Sequence, residues 1–374
     1  MDINYMKAAL KLAALGVGYV HPNPLVGAII VKNKIVIGQG YHRVYGGPHA
    51  EIEAFKNATE DVSGATMYVT LEPCIHFGKT PPCAHAIVEK GIKRVVIGML
   101  DPNPLVSGKG IDYLRKAGIE VICGVLEDEA KKQNEIFLKY ITKKEPFVIM
   151  KSAMTLDGKI ATHTSSSKWV TGESAREYVH QLRHQVTGIM VGIGTVLADD
   201  PSLTTRLQNG VGKDPIRIIV DSNLRIPETA KVITQISDAR TIIAVTEHVD
   251  SEKIKRLESI GVLIIRIPSK NHRVDLKALM IELGRYEIDS ILLEGGSELN
   301  YSAIEDGIVD KFLVFIGNKI VGGNAAKTPI GGLGIAEMTD AMLLDFDSIH
   351  KIGDDLLIEA YLRKRIENNV HRIG

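Results

Sequence analysis

The chain has 374 residues, which is too long for one ordinary compact domain and predicts two or three. Hydrophobic residues make up 45% of it and charged residues 24%, a composition that supports a packed core and excludes disorder across the whole chain. Lysine plus arginine and aspartate plus glutamate both number 45, so no excess of positive charge exists to hold a nucleic-acid backbone or an anionic membrane.

The N-terminal segment from Met1 to Tyr5 lacks the basic stretch and the apolar run of a signal peptide. No apolar run approaches the roughly 18 residues of a membrane-spanning helix. Three cysteines, an odd number in a long chain, argue against a secreted disulfide framework. We therefore expect a cytoplasmic protein in a reducing compartment.

Short β-branched apolar runs alternate with segments of helical spacing, and this alternation predicts α/β layers. The predicted strands are Val26–Val31, Met67–Leu71, Arg94–Gly98, Phe147–Ser152, Ile189–Gly192, Ile216–Asp221, Thr241–Val245, Val262–Ile265, Ser290–Glu294 and Lys311–Ile316. The predicted helices include Asp2–Leu15, Ala84–Glu89, Ser107–Ala117, Ser174–Leu182 and Ser251–Ser259. A further strand from Glu120 to Ile122 predicts that Cys123 is a buried structural residue.

A domain boundary is predicted near residue 144. The charged stretch Glu127–Gln133 predicts a solvated helix that runs to Lys144, and Pro146 blocks its continuation before a new strand begins at Phe147. The predicted domains are residues 1–144 and 145–374. The first has 18 basic against 14 acidic side chains and the second has 27 against 31, so neither domain carries a strong electrostatic field.

One histidine and two cysteines in the first domain suit a zinc ion. His49, Cys74 and Cys83 each stand where a helix is predicted to begin, and a helix N-terminus favours the thiolate that binds metal. Three protein ligands leave the fourth position for water, as in catalytic zinc sites. Glu51 can approach that water without binding the metal, which is the position of a proton shuttle. Each residue alone is more often structural, but the four together favour a catalytic site.

The pentapeptide Pro-Asn-Pro-Leu-Val occurs at residues 22–26 and again at 102–106. Proline fixes φ and asparagine suits turns, so the two copies are consistent with two similar rigid turns. They are also consistent with two loops that face one pocket.

The order H-x-E, then P-C, then C resembles the zinc-dependent base deaminases. Eight residues rather than two separate the cysteines here, and this insert, Ile75–Pro82, is similar to the loop of the pyrimidine deaminases of bacterial riboflavin synthesis. The resemblance implies a cytidine-deaminase-like three-layer domain with Zn²⁺, in which Glu51 is catalytic and His49, Cys74 and Cys83 bind the metal. The substrate contacts that it implies are Asn23, His42, His76, Lys79 and Asn103.

The second domain has no G-x-G-x-x-G after a strand, so the sequence does not support a Rossmann dinucleotide domain. Gly, Ser, Thr and Asp instead cluster at predicted strand ends, in Val191–Pro201, Val220–Ser222 and Leu293–Glu298. Ligands bind at strand ends in open α/β sheets, and Gly-Gly-Ser before a helix exposes N–H groups for a phosphate. A single glycine pair is more often only a turn.

The order of these clusters, together with Lys151–Ala161, Trp169–Gly172 and Asp200–Arg206, resembles the reductase half of the same riboflavin enzymes. The resemblance implies a dihydrofolate-reductase-like domain that uses NADPH. The cofactor contacts that it implies are Ala153, Trp169, Thr195, Asp199, Ser222, Gly296, Ser297, Glu298, Leu299, Asn300, Tyr301 and Ser302. The substrate contacts that it implies are Lys151, Ser167, Arg183, Leu203, Arg206 and Glu294.

Together the two resemblances predict a bifunctional enzyme of riboflavin biosynthesis. The first domain would deaminate 2,5-diamino-6-(5-phosphoribosylamino)pyrimidin-4(3H)-one by hydrolysis. The second would reduce the ribosyl group of 5-amino-6-(5-phosphoribosylamino)uracil to ribityl. The expected partners are this small phosphorylated pyrimidine and copies of the same chain, as a dimer or tetramer, with no nucleic acid and no membrane.

Two alternatives share parts of this pattern. A deaminase of nucleic-acid or free-nucleoside bases with a non-catalytic C-terminal domain has the same zinc motif, but a nucleic-acid enzyme predicts a basic, aromatic-lined path for the strand. A non-catalytic binding protein predicts that a ligand or the acid is missing, yet His49, Glu51, Cys74 and Cys83 are all present.

Overall fold

The structure is a computed structural model that describes residues 1–75, 82–103, 107–208, 210 and 212–363. The chain divides into two compact units. The first consists of Met1–Pro146 and Leu283–Asp289, and the second of Phe147–Glu282 and Ser290–Gly374. The division after Pro146 lies close to the predicted boundary at residue 144, whose exact position stays a prediction.

The first unit is built around one five-stranded sheet. Its strands are β1 (Gly27–Lys32), β2 (Ile35–Tyr41), β3 (Thr66–Leu71), β4 (Arg94–Met99) and β5 (Glu120–Cys123). Its helices are α1 (Asp2–Ala13), α2 (Ala50–Lys56), α3 (Cys83–Glu89), α4 (Lys109–Lys116), α5 (Glu127–Gln133) and α6 (Glu135–Lys143), with a 3₁₀ turn at Ala14–Gly16. The strand order is β2-β1-β3-β4-β5, with β1 antiparallel to both neighbours and β3, β4 and β5 parallel.

Alternate residues of the strands face two different helical layers, as the period of two in a β-strand requires. In β1, Ile30 packs in the cluster that holds α2, α3 and α4, whereas Ile29 and Val31 pack against α1. In β3, Met67 and Tyr68 divide between the same two clusters. The unit therefore has three layers, with the sheet between helices.

The second unit contains a nine-stranded sheet and a small hairpin. Its strands are β6 (Phe147–Thr155), β7 (Gly188–Gly192), β8 (Ile216–Val220), β9 (Thr241–Val245), β10 (Leu263–Arg266), β11 (Ser269–Lys270), β12 (Arg273–Val274), β13 (Ser290–Leu293), β14 (Lys311–Gly317), β15 (Leu344–Ile352) and β16 (Asp355–Leu362). Its helices are α7 (Glu173–Gln185), α8 (Ile193–Asp199), α9 (Lys231–Thr234), α10 (Ser251–Ser259), α11 (Leu276–Arg285) and α12 (Ser297–Glu305), with a 3₁₀ turn at Met338–Asp340. Across the described ranges, no helix of either unit is both long and apolar enough to cross a membrane.

The order of the large sheet is β10-β9-β8-β7-β13-β6-β14-β16-β15. The strands from β10 to β14 are parallel, and β16 runs antiparallel to both β14 and β15. The chain passes outward through β7, β8, β9 and β10 and then returns to place β13 between β7 and β6. The strand order reverses at this point, which is where open α/β sheets bind ligands beyond the carboxyl ends of their strands.

The predicted α/β alternation is confirmed, but β2 was not predicted. Its glycines, Gly38 and Gly40, are typical of turns in sequence. In the structure they let α2 approach the sheet, because a Cβ at Gly38 would lie 2.6 Å from the carbonyl oxygen of Ala54 and one at Gly40 would lie 2.4 Å from the Ala54 nitrogen. The two glycines thus set the position of the helix that follows His49.

Two local predictions are wrong. The expected single helix from Glu127 to Lys144 is broken into α5 and α6 at Asn134, whose buried carboxamide bonds the backbone N–H and carbonyl of Leu25. Cys123 is exposed rather than buried, because it is the last residue of β5, a four-residue strand at the edge of its sheet.

Candidate active sites

The three predicted zinc ligands converge in the first unit. His49 immediately precedes α2, Cys74 follows the end of β3, and Cys83 is the first residue of α3. Their ligand atoms all lie within 4.8 Å of one another. The structure thus joins three segments that are up to 34 residues apart in the chain.

The spacing of these atoms fits a tetrahedral zinc ion. His49 Nδ1 lies 3.3 Å from Cys83 Sγ and 3.5 Å from Cys74 Sγ. Ordinary Zn–N and Zn–S bonds at the tetrahedral angle place N and S ligands about 3.6 Å apart. Hydrogen bonds from Cys83 and His49 hold the pKa of the Cys74 thiol well below its usual range, although burial opposes this shift. Cys74 therefore favours the thiolate that zinc requires, whereas the hydrogen bond to Cys74 and then burial raise the pKa of the Cys83 thiol, so that its deprotonation would accompany metal binding.

Glu51 lies on the first turn of α2 and is only 3% exposed. Burial, and then the negative charge of Cys74, raises the pKa of its carboxyl group to about 7. A carboxyl group that titrates near neutrality can both accept and return a proton, which is the property of a general acid and base. The structure thus brings the predicted proton shuttle beside the predicted metal ligands.

His42 and Asn23 form a hydrogen-bonded pair next to the ligands. Nδ1 of His42 lies 3.0 Å from the carbonyl oxygen of Pro48 and therefore donates to it, which leaves Nε2 as acceptor from Asn23 Nδ2 at 3.2 Å. The His42 ring also meets the His49 ring edge-on, with 5.7 Å between centroids. Burial lowers the pKa of His42, so this ring is neutral. Since His42 is only 3% exposed and its ring contacts Asn23, Pro48 and His49, a direct substrate contact stays a prediction.

The second copy of the repeated pentapeptide follows β4, beside the strand that leads to Cys74. Asn103 is half-buried there, and its backbone N–H donates to the Asp101 carboxylate at 2.9 Å. The remainder of that repeat, residues 104–106, lies outside the described residues, as do the predicted substrate contacts His76 and Lys79.

Eight of the predicted reductase residues line a cavity of about 540 Å³ in the second unit. The predicted residues that line it are Lys151, Ala153, Ser167, Trp169, Arg183, Arg206, Glu294 and Asn300. They come from β6, α7, α12, the segment after β13 and the connections that precede α7 and follow α8, and thus from elements around the point where the strand order reverses.

Arg183 and Glu294 form a bidentate ion pair at the cavity wall. The Nε and Nη2 atoms of Arg183 lie 2.7 and 3.1 Å from the two carboxylate oxygens, and Nη1 donates to the Thr204 carbonyl at 3.0 Å. Lys151 Nζ lies 3.6 Å from the same carboxylate. Burial alone would raise the pKa of Glu294, but the charges of Arg183 and Lys151 lower it to about 2. Glu294 therefore carries a fixed negative charge, and Arg183 keeps two of its five N–H donors for other partners.

Sequence reasoning missed His180, which also lines this cavity. Its Nδ1 accepts the backbone N–H of Arg206 at 3.3 Å. Burial and then the charges of Arg183 and Arg206 lower the pKa of His180 to about 4, so its ring is neutral. The available signal was its position three residues before Arg183 on α7, which places both side chains on one helical face.

Trp169, the single tryptophan of the chain, is 60% exposed at the cavity. The Arg176 guanidinium stands 4.5 Å from the centre of its indole ring and also donates to the Thr171 carbonyl at 2.8 Å. Lys319 donates to the Trp169 carbonyl at 2.6 Å. Arg176 lines the same cavity and was not predicted from the sequence.

Two helices begin side by side where neighbouring strands β7 and β13 end. A Cβ at Gly296, which precedes α12, would lie 3.7 Å from the Thr195 hydroxyl on α8. Asn300 on α12 is 2% exposed; its Nδ2 donates to the Pro329 carbonyl, and its Oδ1 has no hydrogen-bond partner among the residues that the structure covers. Helix N-termini attract phosphate, and an unpaired buried acceptor suits a ligand with N–H or O–H groups. These features fit a phosphorylated cofactor.

Several predicted contacts lie outside the cavity lining. Leu203 is buried in the core on one side of the sheet, so only its backbone could reach a substrate. The Ser222 hydroxyl accepts the backbone N–H of Val274 at 3.1 Å, and Asp199 is exposed at the last residue of α8. The other predicted cofactor contacts outside the lining are Thr195, Gly296, Ser297, Glu298, Leu299, Tyr301 and Ser302, around the start of α8 and on α12.

Two family models match the chain. Residues 1–99 match the cytidine and deoxycytidylate deaminase zinc-binding region, and residues 146–358 match the RibD C-terminal domain. The riboflavin biosynthesis protein RibD of Actinobacillus pleuropneumoniae is 50% identical over 358 residues, which are 96% of this chain and 94% of that one. The RibD protein of Aquifex aeolicus is 45% identical and covers 96% of this chain and 98% of its own.

Solved structures agree with this similarity. Acinetobacter baumannii RibD is 35% identical with a TM-score of 0.87, and the match covers 97% of this chain and 99% of that one. A Thermotoga maritima protein, described as a diaminohydroxyphosphoribosylaminopyrimidine deaminase/5-amino-6-(5-phosphoribosylamino)uracil reductase, is 38% identical with a TM-score of 0.84 and the same coverage. The chain therefore belongs to the RibD family of riboflavin biosynthesis proteins and is a bifunctional deaminase and reductase.

Proposed function

We propose that the first unit deaminates 2,5-diamino-6-(5-phosphoribosylamino)pyrimidin-4(3H)-one and that the second reduces 5-amino-6-(5-phosphoribosylamino)uracil with NADPH. The observation that carries the first half is the convergence of His49, Cys74 and Cys83 beside the buried Glu51. The printed description of the Thermotoga maritima relative supports the choice of substrates. A base deaminase with a non-catalytic C-terminal domain does not account for the match of residues 146–358 to the RibD C-terminal domain.

In the deaminase, zinc at the three ligands supplies the Lewis acidity that makes water a nucleophile at neutral pH. Glu51 moves the proton. Its carboxylate accepts one proton from the attacking water and donates it to the pyrimidine ring nitrogen, and it then takes the second proton from the newly added hydroxyl group and donates it to the amino group, which leaves as ammonia. Burial raises the pKa of this carboxyl group, which makes it a stronger base toward the attacking water than an exposed glutamate. Asn23, oriented by His42, is proposed to hold the pyrimidine edge.

In the reductase, NADPH supplies the hydride that reduces C1′ of the opened ribosyl unit to ribityl. The adjoining starts of α8 and α12 are proposed to hold the pyrophosphate, with Thr195 and Gly296 on either side. Asn300 Oδ1 offers a buried acceptor, and the exposed indole of Trp169 offers a flat apolar face for the nicotinamide ring. The preference for NADPH over NADH rests on the family resemblance.

The cations of the cavity are proposed to hold the substrate phosphate. Arg206, Lys151 and the two remaining N–H donors of Arg183 line the same space. The bidentate pair with Glu294 fixes the guanidinium of Arg183, so that less conformational entropy is lost when the phosphate binds. Ser167, in the connection between β6 and α7, adds a hydroxyl group to the cavity lining.

We also propose that the chain forms a homo-oligomer through the edge strand β15, as a dimer or tetramer. Phe346 and Ile349 on this strand are 66% and 58% exposed, and Leu356 on the adjoining β16 is 41% exposed. A long edge strand with apolar side chains favours pairing with another chain, and a second copy supplies the same surface. A cytoplasmic location is proposed because the two cysteine ligands must stay reduced.

Loss of a cysteine ligand should remove the metal. We expect Cys74→Ser and Cys83→Ser to fall from about one zinc per chain to nearly none, because a hydroxyl group is a poor zinc ligand at neutral pH. Cys123→Ser is the matched control and should keep its zinc, since Cys123 is outside the ligand cluster. Metal analysis after dialysis measures the content. Full zinc occupancy in Cys74→Ser would contradict the site.

Replacement of the proton shuttle should stop deamination alone. Glu51→Gln keeps the size of the side chain but cannot accept a proton, so ammonia release should fall by at least about a thousandfold. Zinc content and NADPH oxidation with the deaminated substrate should match wild type, because those steps do not use Glu51. An ammonia release rate within about tenfold of wild type would exclude the proposed role.

Cofactor binding can be followed through Trp169, whose emission reports on this cavity alone because the chain has one tryptophan. Gly296 is the N-cap residue of α12, a position where aspartate is favourable. Gly296→Asp therefore preserves the helix but places a carboxylate at the proposed phosphate position. We expect its Kd for NADPH to rise by at least about tenfold through charge repulsion. Gly296→Ala, whose Cβ would meet only ordinary contacts, is the control and should bind as wild type. Equal NADPH affinity of the two variants would reject the phosphate site.

Disruption of the β15 edge should dissociate the oligomer. Phe346→Glu introduces a charge at the proposed interface and should shift the sedimentation coefficient to that of a single chain. Ile236→Glu is the control, because Ile236 is fully exposed in a loop after α9. A wild-type chain that sediments as a monomer would overturn the proposal.

A further inference from the structure

We propose that Glu72 is a positioning residue of the deaminase, which fixes the loop that carries Asn103 against the strand end that carries Cys74. Its carboxylate is 3% exposed and therefore buried. The proposal rests on the proposed function, since it needs Asn103 to contact the pyrimidine. Glu72 is neither the proposed proton shuttle nor one of the candidate metal ligands.

Four backbone N–H groups donate to this one carboxylate. Oε2 accepts from Asp101 at 3.3 Å and from Gly108 at 3.0 Å. Oε1 accepts from Gly110 at 3.0 Å and from Ile111 at 3.3 Å. An ionised carboxylate has about four acceptor positions, so these bonds match its full capacity. The two ends of the loop and the first turn of α4 are thereby held by a single side chain.

The helix start needs such an acceptor, because the first N–H groups of an α-helix have no partner within the helix. Negative charge at this end is also favoured by the helix dipole. Close packing reinforces the contact, since a Cβ at Gly110 would lie 2.2 Å from the carbonyl oxygen of Pro73. The start of α4 is therefore pressed directly against the Glu72–Cys74 segment.

Asp101 connects Glu72 to Asn103, the proposed substrate contact. Its backbone N–H is held by Glu72, and its side chain accepts the backbone N–H of Asn103 at 2.9 Å. The backbone carbonyl oxygen of Asn103 in turn accepts the backbone N–H of Ser107, with 2.9 Å between nitrogen and oxygen. The described residues on either side of positions 104–106 are thus held by hydrogen bonds, and Glu72 is joined to Cys74 by a single intervening proline. The position of Asn103 relative to the metal ligands depends on this carboxylate.

Glu72→Gln tests the proposal. The amide has one oxygen and a donating NH₂ group, so two of the four backbone N–H groups would face a donor instead of an acceptor. We expect KM for the deaminase substrate to rise by at least about tenfold while kcat changes less than about threefold, because the lost contact acts on substrate binding. Zinc content and reductase activity of the same preparation should equal wild type and show that the chain is folded.

Asp101 supplies a second test that leaves the buried carboxylate intact. Asp101→Ala removes the acceptor for the Asn103 N–H and should also raise KM, whereas Asp101→Asn keeps an acceptor oxygen and should restore it. In an Asn103→Ala background, Glu72→Gln should add less than about threefold to KM, because both changes act through one contact.

Loss of zinc or of reductase activity in Glu72→Gln would overturn the proposal in favour of a general role in folding. Additive effects of Glu72→Gln and Asn103→Ala would also overturn it. Failure of the proposed function itself is distinguishable, because wild type would then release no ammonia from the diaminopyrimidine nucleotide.

Discussion

Parallel strands end at the same edge of their sheet, and both sites of this protein depend on that constraint. In the first unit β3 leads to Cys74 and the neighbouring β4 leads to Asp101, so a candidate metal ligand and the segment that carries Asn103 start beside each other. In the second unit β7 and β13 are neighbours and lead to the starts of α8 and α12. The backbone geometry thus assembles polar groups that side-chain packing alone would not bring together.

The close approach of helix backbones to neighbouring strands and loops then sets the distances between side chains at these sheet edges. Glycines in β2 allow α2 to lie against the sheet and so position His49 and Glu51, and Gly110 does the same for α4 against Pro73. In each case a single added carbon would lie closer than 3 Å to backbone atoms. A shift of this size would separate zinc ligands that now stand 3.3 to 3.5 Å apart.

Buried charge is balanced locally in both units of this chain, which has no net charge. Glu294 is neutralised by Arg183 and Lys151 at the cavity wall, which leaves part of the guanidinium available to a phosphate. Glu72 is balanced by four peptide N–H groups instead of a cation. Glu51, which has neither arrangement, has its pKa raised to about 7. The surroundings of a glutamate therefore decide whether its charge is fixed by cations, is held by peptide N–H groups, or is disfavoured by burial.

The sequence by itself determined the α/β alternation and indicated the candidate zinc ligands and Glu51, because these depend on local periodicity and on residue chemistry at helix starts. Through motif order it also indicated eight of the twenty residues that line the cavity of the second unit. Only the tertiary structure decided that Cys123 is exposed, that Asn134 breaks a helix, and that His180 and Arg176 line the cavity. The four bonds of Glu72 join residues 29 to 39 positions apart in the chain. Burial and hydrogen-bond partners of this kind arise from contacts between distant segments, and no local pattern of residues encodes them.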